Sequence, residues 1–359
     1  MSPTDPHLMT ERGIAPGLWW HTTTDGRVQC DLCPRACRLR EGQRGFCFVR
    51  QARDGGIVLT SFGRNTGMAC DPIEKKPLYH FYPGSQVLSF GTLGCNLGCR
   101  FCQNWHISKA RQVADLRQSA SPEEVASLAV TTSCDGVAFT YNEPVVFAEY
   151  AMACAHEAHR LGLKTVAVTS GYMCAEPRAE FYKNIDAVNV DLKSFSETFY
   201  RRLCGGALYP VLETLRWLKE ETGIWLEITT LLIPGHNDSR HELARLSDWI
   251  LQVLGPDVPL HFTAFHPDFR MRNVPPTSSE TLKRARRQAL SAGLKHVYTG
   301  NVVDKEGSTT WCAVCGEALI GRRGYRLKYW GLNPDGTCQT CGTRLPGRFS
   351  GDDLKSRSI

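Results

Sequence analysis

The chain has 359 residues, of which 42% are apolar and 22% charged, and a formal net charge of +6. This length and apolar content exclude an intrinsically disordered chain and allow a large buried core. No secretory signal pattern and no run as long as a membrane span occurs in it, so a cytoplasmic location is expected.

In chain order, residues 1–18 read as a flexible leader, polar and punctuated by Pro and Gly. Residues 19–86 form a Cys-rich segment with short strand-like pieces such as "GIVLTSF". From Val87 the pattern changes to strands alternating with helices. The strand candidates are "VLSFGTL" (87–93), "GVAFTY" (136–141), "KTVAVTS" (164–170), "DAVNVDL" (186–192), "IWLEITTLLI" (224–233), "PLHFTAF" (259–265) and "KHVYTG" (295–300). They are short and rich in Val, Ile, Thr and Phe, as buried parallel strands are.

Helical stretches lie between them. "SPEEVASLAVTT" opens on Ser121 as N-cap, with Pro122 in the first turn and Glu124 at the capping-box position. "PVVFAEYAMACAHEAHRLG" ends at Gly162, and "YPVLETLRWLKEETG", "NDSRHELARLSDWILQVLG" and "SSETLKRARRQALSAG" follow the same grammar. This alternation predicts an α/β fold with a parallel sheet. An open doubly wound sheet and a full or partial barrel both fit. The assignment is a partial (β/α)6-type parallel barrel over 87–303, then a zinc-ribbon-like domain over 304–345 and a flexible basic tail over 346–359. Basic residues such as Arg322, Arg323, Arg326 and Lys328 outnumber acidic ones after Cys312. A solvated surface accounts for that excess more simply than an acidic partner does.

Sixteen cysteines are many for a reduced compartment unless they bind metal. Eleven fall into three groups: Cys30, Cys33, Cys37 and Cys47; Cys95, Cys99 and Cys102; Cys312, Cys315, Cys338 and Cys341. The remaining five, Cys70, Cys134, Cys154, Cys174 and Cys204, read as small buried hydrophobes. The paired "CAVCG" and "CQTCG" knuckles of the last group offer four thiolates to a tetrahedral zinc ion, with iron or an iron–sulfur cluster as the other occupant. The first group also places four thiols in one short segment, where Gly42 and Gly45 let the chain turn back. It suits zinc or an auxiliary iron–sulfur cluster, and spacing does not separate the two.

The middle group has only three thiols. Cys95, Cys99 and Cys102, in "GTLGCNLGCRFCQNW", directly follow the first strand of the array. Three thiolates at this C-x3-C-x2-C spacing can wrap one face of a cubane cluster and leave its fourth iron open to a small molecule. A zinc site with a distant fourth ligand, or a chance group of free thiols, are the competing readings. Other polar residues collect at the ends of later strands, where parallel β/α proteins build their sites. Glu143 in "TYNEP", and Asp191 and Lys193 in "VDLK", stand out there.

"CNLGCRFC" resembles the signature of the radical SAM superfamily, with Phe101 at the aromatic position that packs near the adenine of S-adenosylmethionine. Together with "CQNWHIS", "DPIEKKPLYHFYPG", "NVDLKSF", "TTLLIPGHND", "VYTGNV" and the N-terminal "CDLCPRACRLREGQRGFCFVR", the chain resembles the radical SAM enzyme of the AmmeMemoRadiSam system, a relative of the pyruvate formate-lyase activating enzymes. The resemblance implies a [4Fe-4S] cluster on the three cysteines. S-adenosyl-L-methionine would chelate the open iron through its amino and carboxylate groups. Reductive cleavage would give methionine and a 5′-deoxyadenosyl radical that abstracts hydrogen from an unidentified substrate. It also implies a low-potential electron donor of the flavodoxin or ferredoxin type, with the other proteins of that system as candidate partners and neither membrane nor nucleic acid among them.

Residue by residue, "TYNEP" stands where relatives carry Gly-Gly-Glu-Pro, so Asn142 and Glu143 are the implied contacts of the methionine amino group, with Tyr141 and Asn142 replacing the glycines. Asp191 and Lys193 match an Asp-x-Lys, with Lys193 facing the methionine carboxylate. Ser170 stands where relatives often carry Asn, and His266 near a His that contacts the nucleoside. Activating enzymes carry an Arg in the fifth strand where this chain has Thr229. That departure points away from the alternative reading of a glycyl-radical activase acting on a protein glycine. A non-enzymatic zinc-ribbon protein that binds nucleic acid is the rival from another class; it leaves the long β/α array and its polar strand ends without a purpose.

Overall fold

Backbone stretches rich in β-branched and aromatic residues become the strands. The computed structural model of the chain describes residues 13–111 and 118–349; residues 1–12 of the expected leader and 350–359 of the expected basic tail lie outside the described residues. Seven strands occupy the expected stretches: Gln86–Phe90, Gly136–Phe139, Lys164–Thr169, Ala187–Asp191, Trp225–Leu232, Leu260–Ala264 and Val297–Gly300. Most end a residue or more earlier than the composition predicts. The fold is α/β with a mixed central sheet rather than the purely parallel one expected. The Cys-rich segment adds the Met68–Pro72 strand at its edge, beside Gln86–Phe90.

The chain divides into two compact units, interleaved in sequence. The first comprises Met1–Asp71, Gln86–Asp186 and Leu203–Thr214; the second comprises Pro72–Ser85, Ala187–Arg202 and Leu215–Ile359. In the first unit Gly136–Phe139 lies between two parallel neighbours, with Gly136 opposite both Val87 and Lys164. Helix Pro122–Thr131 starts on a complete capping box between Ser121 and Glu124. Helix Ala148–Arg160 stops just before Gly162, whose φ of +74° suits only glycine at low cost. Residues 13–18, expected in the leader, are tied down: Ala15–Pro16 pairs with Val58 and Leu59, and Leu18 N donates to Glu149 Oε1 at 2.7 Å. Glu149 is also bound by Arg50 Nη1, at 2.8 and 2.9 Å to its two oxygens, and both side chains are almost wholly buried. Neither charge could persist there without the other.

Of the scattered cysteines, Cys134, Cys154 and Cys204 are buried, as small hydrophobes are. Cys70 departs from that reading: it is exposed, and its sulfur lies 3.2 Å from that of Cys134.

In the second unit the four strands Ala187–Asp191, Trp225–Leu232, Leu260–Ala264 and Val297–Gly300 run parallel in chain order. Residues 72–85, placed by sequence with the N-terminal cysteines, pack here. Glu227, wholly buried, accepts the backbone N–H groups of Tyr79 (3.0 Å) and His80 (2.8 Å), the Trp225 indole N–H (2.9 Å) and a 2.6 Å bond with His261 Nε2. Both Glu227 and His261 sit early in their strands, away from the ends where sites form, so this network is scaffold. The C-terminal sheet of Thr310–Trp311, Ala318–Arg323 and Arg326–Trp330 is keyed to the same segment by Arg322. Its guanidinium donates to Tyr79 O (2.7 Å) and Thr310 Oγ1 (2.9 Å), lies over the Tyr79 ring and pairs with buried Glu74 at 3.6 Å. Helices Arg240–Trp249 and Ser279–Ser291 begin on Ser239 and Ser278, each of which caps with its hydroxyl. No helix among the described residues is long and apolar enough to cross a membrane.

Candidate active site

The first unit brings three parallel strand ends together, and each carries residues expected in the site. The loop after Gln86–Phe90 holds the cysteine triplet, the loop after Gly136–Phe139 holds Asn142 and Glu143, and Ser170 follows Lys164–Thr169. Two glycines let the cysteine loop approach its neighbours. A side chain at Gly91 would overlap Thr140 O and Asn142 Oδ1. Gly94 has φ of +82°, and a side chain there would overlap Cys47 O.

Asn142 is the clamp of this loop. Its Oδ1 accepts Thr92 N at 3.0 Å, and its Nδ2 donates to Leu93 O (3.0 Å) and Gly94 O (2.9 Å). The amide expected near a ligand is thus engaged with the backbone that leads into Cys95. Tyr141, which replaces a glycine of the family pattern, adopts φ of +71°, the left-handed conformation that glycine would take without strain. Its hydroxyl donates to Asp71 at 2.8 Å and its carbonyl accepts Asn104 Nδ2 at 2.7 Å, which hold it in place.

Within the loop, Leu97 N donates to Cys95 Sγ at 3.4 Å, and Cys102 Sγ lies 3.2 Å from Ser108 Oγ. Burial pushes the Cys95 thiol up to about 12 against the pull of Lys109, and raises Cys102 against the hydrogen bond with Ser108. Bare thiols here stay protonated, whereas a bound metal centre would take them as thiolates. The buried Nε2 of Gln103, beside Cys102, has no hydrogen-bond partner. Three cysteines in one loop, an amide already aimed at one of their sulfurs and a spare buried donor fit an anionic sulfur-ligated cluster. Phe101 is buried beside the last cysteine.

Glu143 and Ser170 meet directly. Glu143 Oε2 accepts Ser170 Oγ (2.6 Å) and Ser170 N (2.8 Å), and Oε1 accepts Thr169 Oγ1 (2.5 Å) and Val145 N (3.2 Å). Burial pushes this carboxyl up, and the bonds from Ser170 and Thr169 oppose it. Nothing in the residue pattern marks Thr169 as a partner, because a Thr inside a strand reads as packing.

In the second unit Lys193 Nζ pairs with Asp191 Oδ2 at 2.9 Å, and His266 is exposed. Thr229 is buried in its strand with no hydrogen-bond partner for its hydroxyl. The C-terminal cysteines of this unit converge. Cys312 Sγ lies 3.6 Å from Cys341 Sγ, Cys315 Sγ lies 3.7 Å from Cys338 Sγ, and all four lie within 4.8 Å of one another. Zn–S bonds of about 2.3 Å in a tetrahedron put the sulfurs about 3.8 Å apart, so the set can hold a metal ion of that kind.

A family profile described as the radical SAM superfamily matches residues 90–247. An uncharacterized protein of Methanocaldococcus jannaschii is 39% identical over 329 residues, 91% of this chain and 98% of its own length. Among solved structures, a radical SAM methyltransferase from Sphaerobacter thermophilus is similar with a TM-score of 0.51 and 15% identity, over 85% of this chain and 81% of its own; it shares the fold. A domain of a pyruvate-formate lyase-activating enzyme from Bacteroides vulgatus matches 46% of this chain and 99% of its own, with 19% identity and a TM-score of 0.42. With its cysteine triplet inside the matched region, the chain belongs to the radical SAM superfamily, a membership that implies an enzyme using a 4Fe–4S cluster and S-adenosylmethionine.

Proposed function

We propose that Cys95, Cys99 and Cys102 hold the catalytic cluster and that the enzyme cleaves S-adenosylmethionine reductively to take hydrogen from a substrate. The supporting observation is the clamped cysteine loop, with three sulfurs and no fourth protein thiol in its own segment, at the end of a parallel strand. Bound there, the cluster and S-adenosylmethionine supply the one-electron chemistry. The protein's part is position and dryness. Asn142 fixes the entry of the loop, and buried Phe101 offers an apolar face for the adenine. Glu143, held by Thr169 and Ser170, offers an anionic acceptor for the methionine ammonium. Asp191, Lys193 and His266 are assigned to the same cofactor by resemblance. The wider motifs support placement with the AmmeMemoRadiSam type, and Thr229 in place of an Arg disfavours a glycyl-radical activase.

Under anaerobic conditions with a strong reductant, the protein is expected to release 5′-deoxyadenosine. A triple Cys95→Ala, Cys99→Ala, Cys102→Ala variant should fall to background. Undiminished release from that variant would overturn the reading.

At the C-terminal site we assign zinc. Cys338 is buried among Ile320, Leu332 and Leu345, so its loss removes both a ligand and core packing. A Cys338→Ser variant is expected to lose one equivalent of zinc by elemental analysis and to expose the three-stranded C-terminal sheet to proteolysis. Retained zinc would argue against this assignment.

A further inference from the structure

The four N-terminal cysteines pose a separate question. Cys30, Cys33, Cys37 and Cys47 all line one cavity of the first unit. Yet among the described residues only the C-terminal set brings its ligand atoms all within 4.8 Å of one another. The two groups differ in kind: one has closed to the spacing of a single ion, and the other surrounds a hollow. A zinc ion draws four sulfurs to about 3.8 Å from each other. A core of four irons and four sulfides is wider and needs its thiolates spread around it.

A second observation comes from the wall. Arg50 is 2% exposed and lines this cavity. Its Nη1 is used by Glu149 and its Nη2 by Leu18 O, but its Nε–H has no acceptor. A buried guanidinium N–H without an acceptor is costly, and a thiolate or inorganic sulfide would satisfy it. We propose that this cavity holds a second iron–sulfur cluster, of the 4Fe–4S type, ligated by Cys30, Cys33, Cys37 and Cys47 and bonded by Arg50 Nε.

The site abuts the catalytic loop. Asn96, between Cys95 and Cys99, lines the same cavity, and its carbonyl accepts Arg35 Nε. This proposal does not depend on the assignment of the triplet, and its test separates the two. The full chain is reconstituted anaerobically with ferrous iron and sulfide, and iron, labile sulfide and zinc are counted. The variant lacking Cys95, Cys99 and Cys102 is expected to keep about four irons and about four sulfides per chain and to remain brown. A Cys33→Ala, Cys37→Ala variant should lose that share of iron and sulfide while the share held by the triplet stays. If the triplet variant fails to fold, a loss of about four irons and about four sulfides from wild type to the Cys33→Ala, Cys37→Ala variant decides. Two zinc equivalents per chain, or no labile sulfide in the triplet variant, would overturn the proposal.

Discussion

Replacing Asn142 with leucine is expected to lower stability by about 4 kcal/mol and 5′-deoxyadenosine release by at least about 100-fold. The substitution keeps the volume and removes every hydrogen bond. Thr92 N loses its acceptor, and Leu93 O and Gly94 O lose their donor, at a point where Asn142 itself is buried. Each stranded backbone group costs about 1–3 kcal/mol. The functional loss is argued separately. These three residues lead directly into Cys95, and a cluster ligand displaced by about 1 Å no longer meets its partners in working geometry. Urea midpoints and anaerobic turnover check the two parts. A variant with wild-type midpoint and turnover would show that the loop holds its shape without this amide.

The second large effect is acid sensitivity in the second unit. His80 is wholly buried, with Nδ1 2.7 Å from Pro346 O and Nε2 2.5 Å from the Tyr298 hydroxyl. A carbonyl only accepts, so Nδ1 carries the proton and Nε2 accepts from Tyr298. Burial first, then neighbouring His296 and Arg322, hold His80 down at about 3, against the opposing pull of Glu227 and the Pro346 carbonyl. Burial also holds His296 at about 4, against Asp257 and Glu227. Both rings stay neutral in the folded chain, while the unfolded chain takes up protons near pH 6.5. Stability is therefore full above that pH and falls as pH drops, levelling off only below the folded-state values. Between about pH 6.5 and about pH 5 each ring removes about 2 kcal/mol. Glu227 adds its own loss at lower pH: burial pushes its carboxyl up, but His261, helped by the Trp225 indole N–H, outweighs burial and leaves it below its ordinary value. A His80→Gln variant, which keeps a donor for Pro346 and an acceptor for Tyr298, should lose about half of this pH dependence in urea midpoints. An unchanged slope would exclude His80 as the source.

These two effects rest on features of different legibility. The strands and most helices were readable because their signals are local: β-branched runs, the Ser121–Glu124 box, the stop at Gly162. Helix Ala175–Tyr182 was not, since its buried residues include Pro177 and Arg178 and form no apolar stripe. The cysteine triplet stands out by its spacing, but its reading as a cluster site draws on its place after a strand and on family resemblance. The grip of Asn142 was not, because its partners lie about fifty residues away and are backbone atoms with no side-chain signature. Arg50 and Glu149 are 99 residues apart, and each reads as an ordinary surface charge in its own segment. The segment 72–85 looked contiguous with the N-terminal cysteines, and the buried carboxylate of Glu227 and the guanidinium of Arg322 show why it folds with the second unit.

The contact between Gly94 and Cys47 bears on how this enzyme can be engineered. The residue before Cys95 rests on the carbonyl of the last N-terminal cysteine so closely that no side chain fits between them. Neither loop can therefore be transplanted alone into another scaffold. A chimera importing the triplet without its N-terminal companion would leave Gly94 unsupported, and one that lengthens either turn would force the two apart.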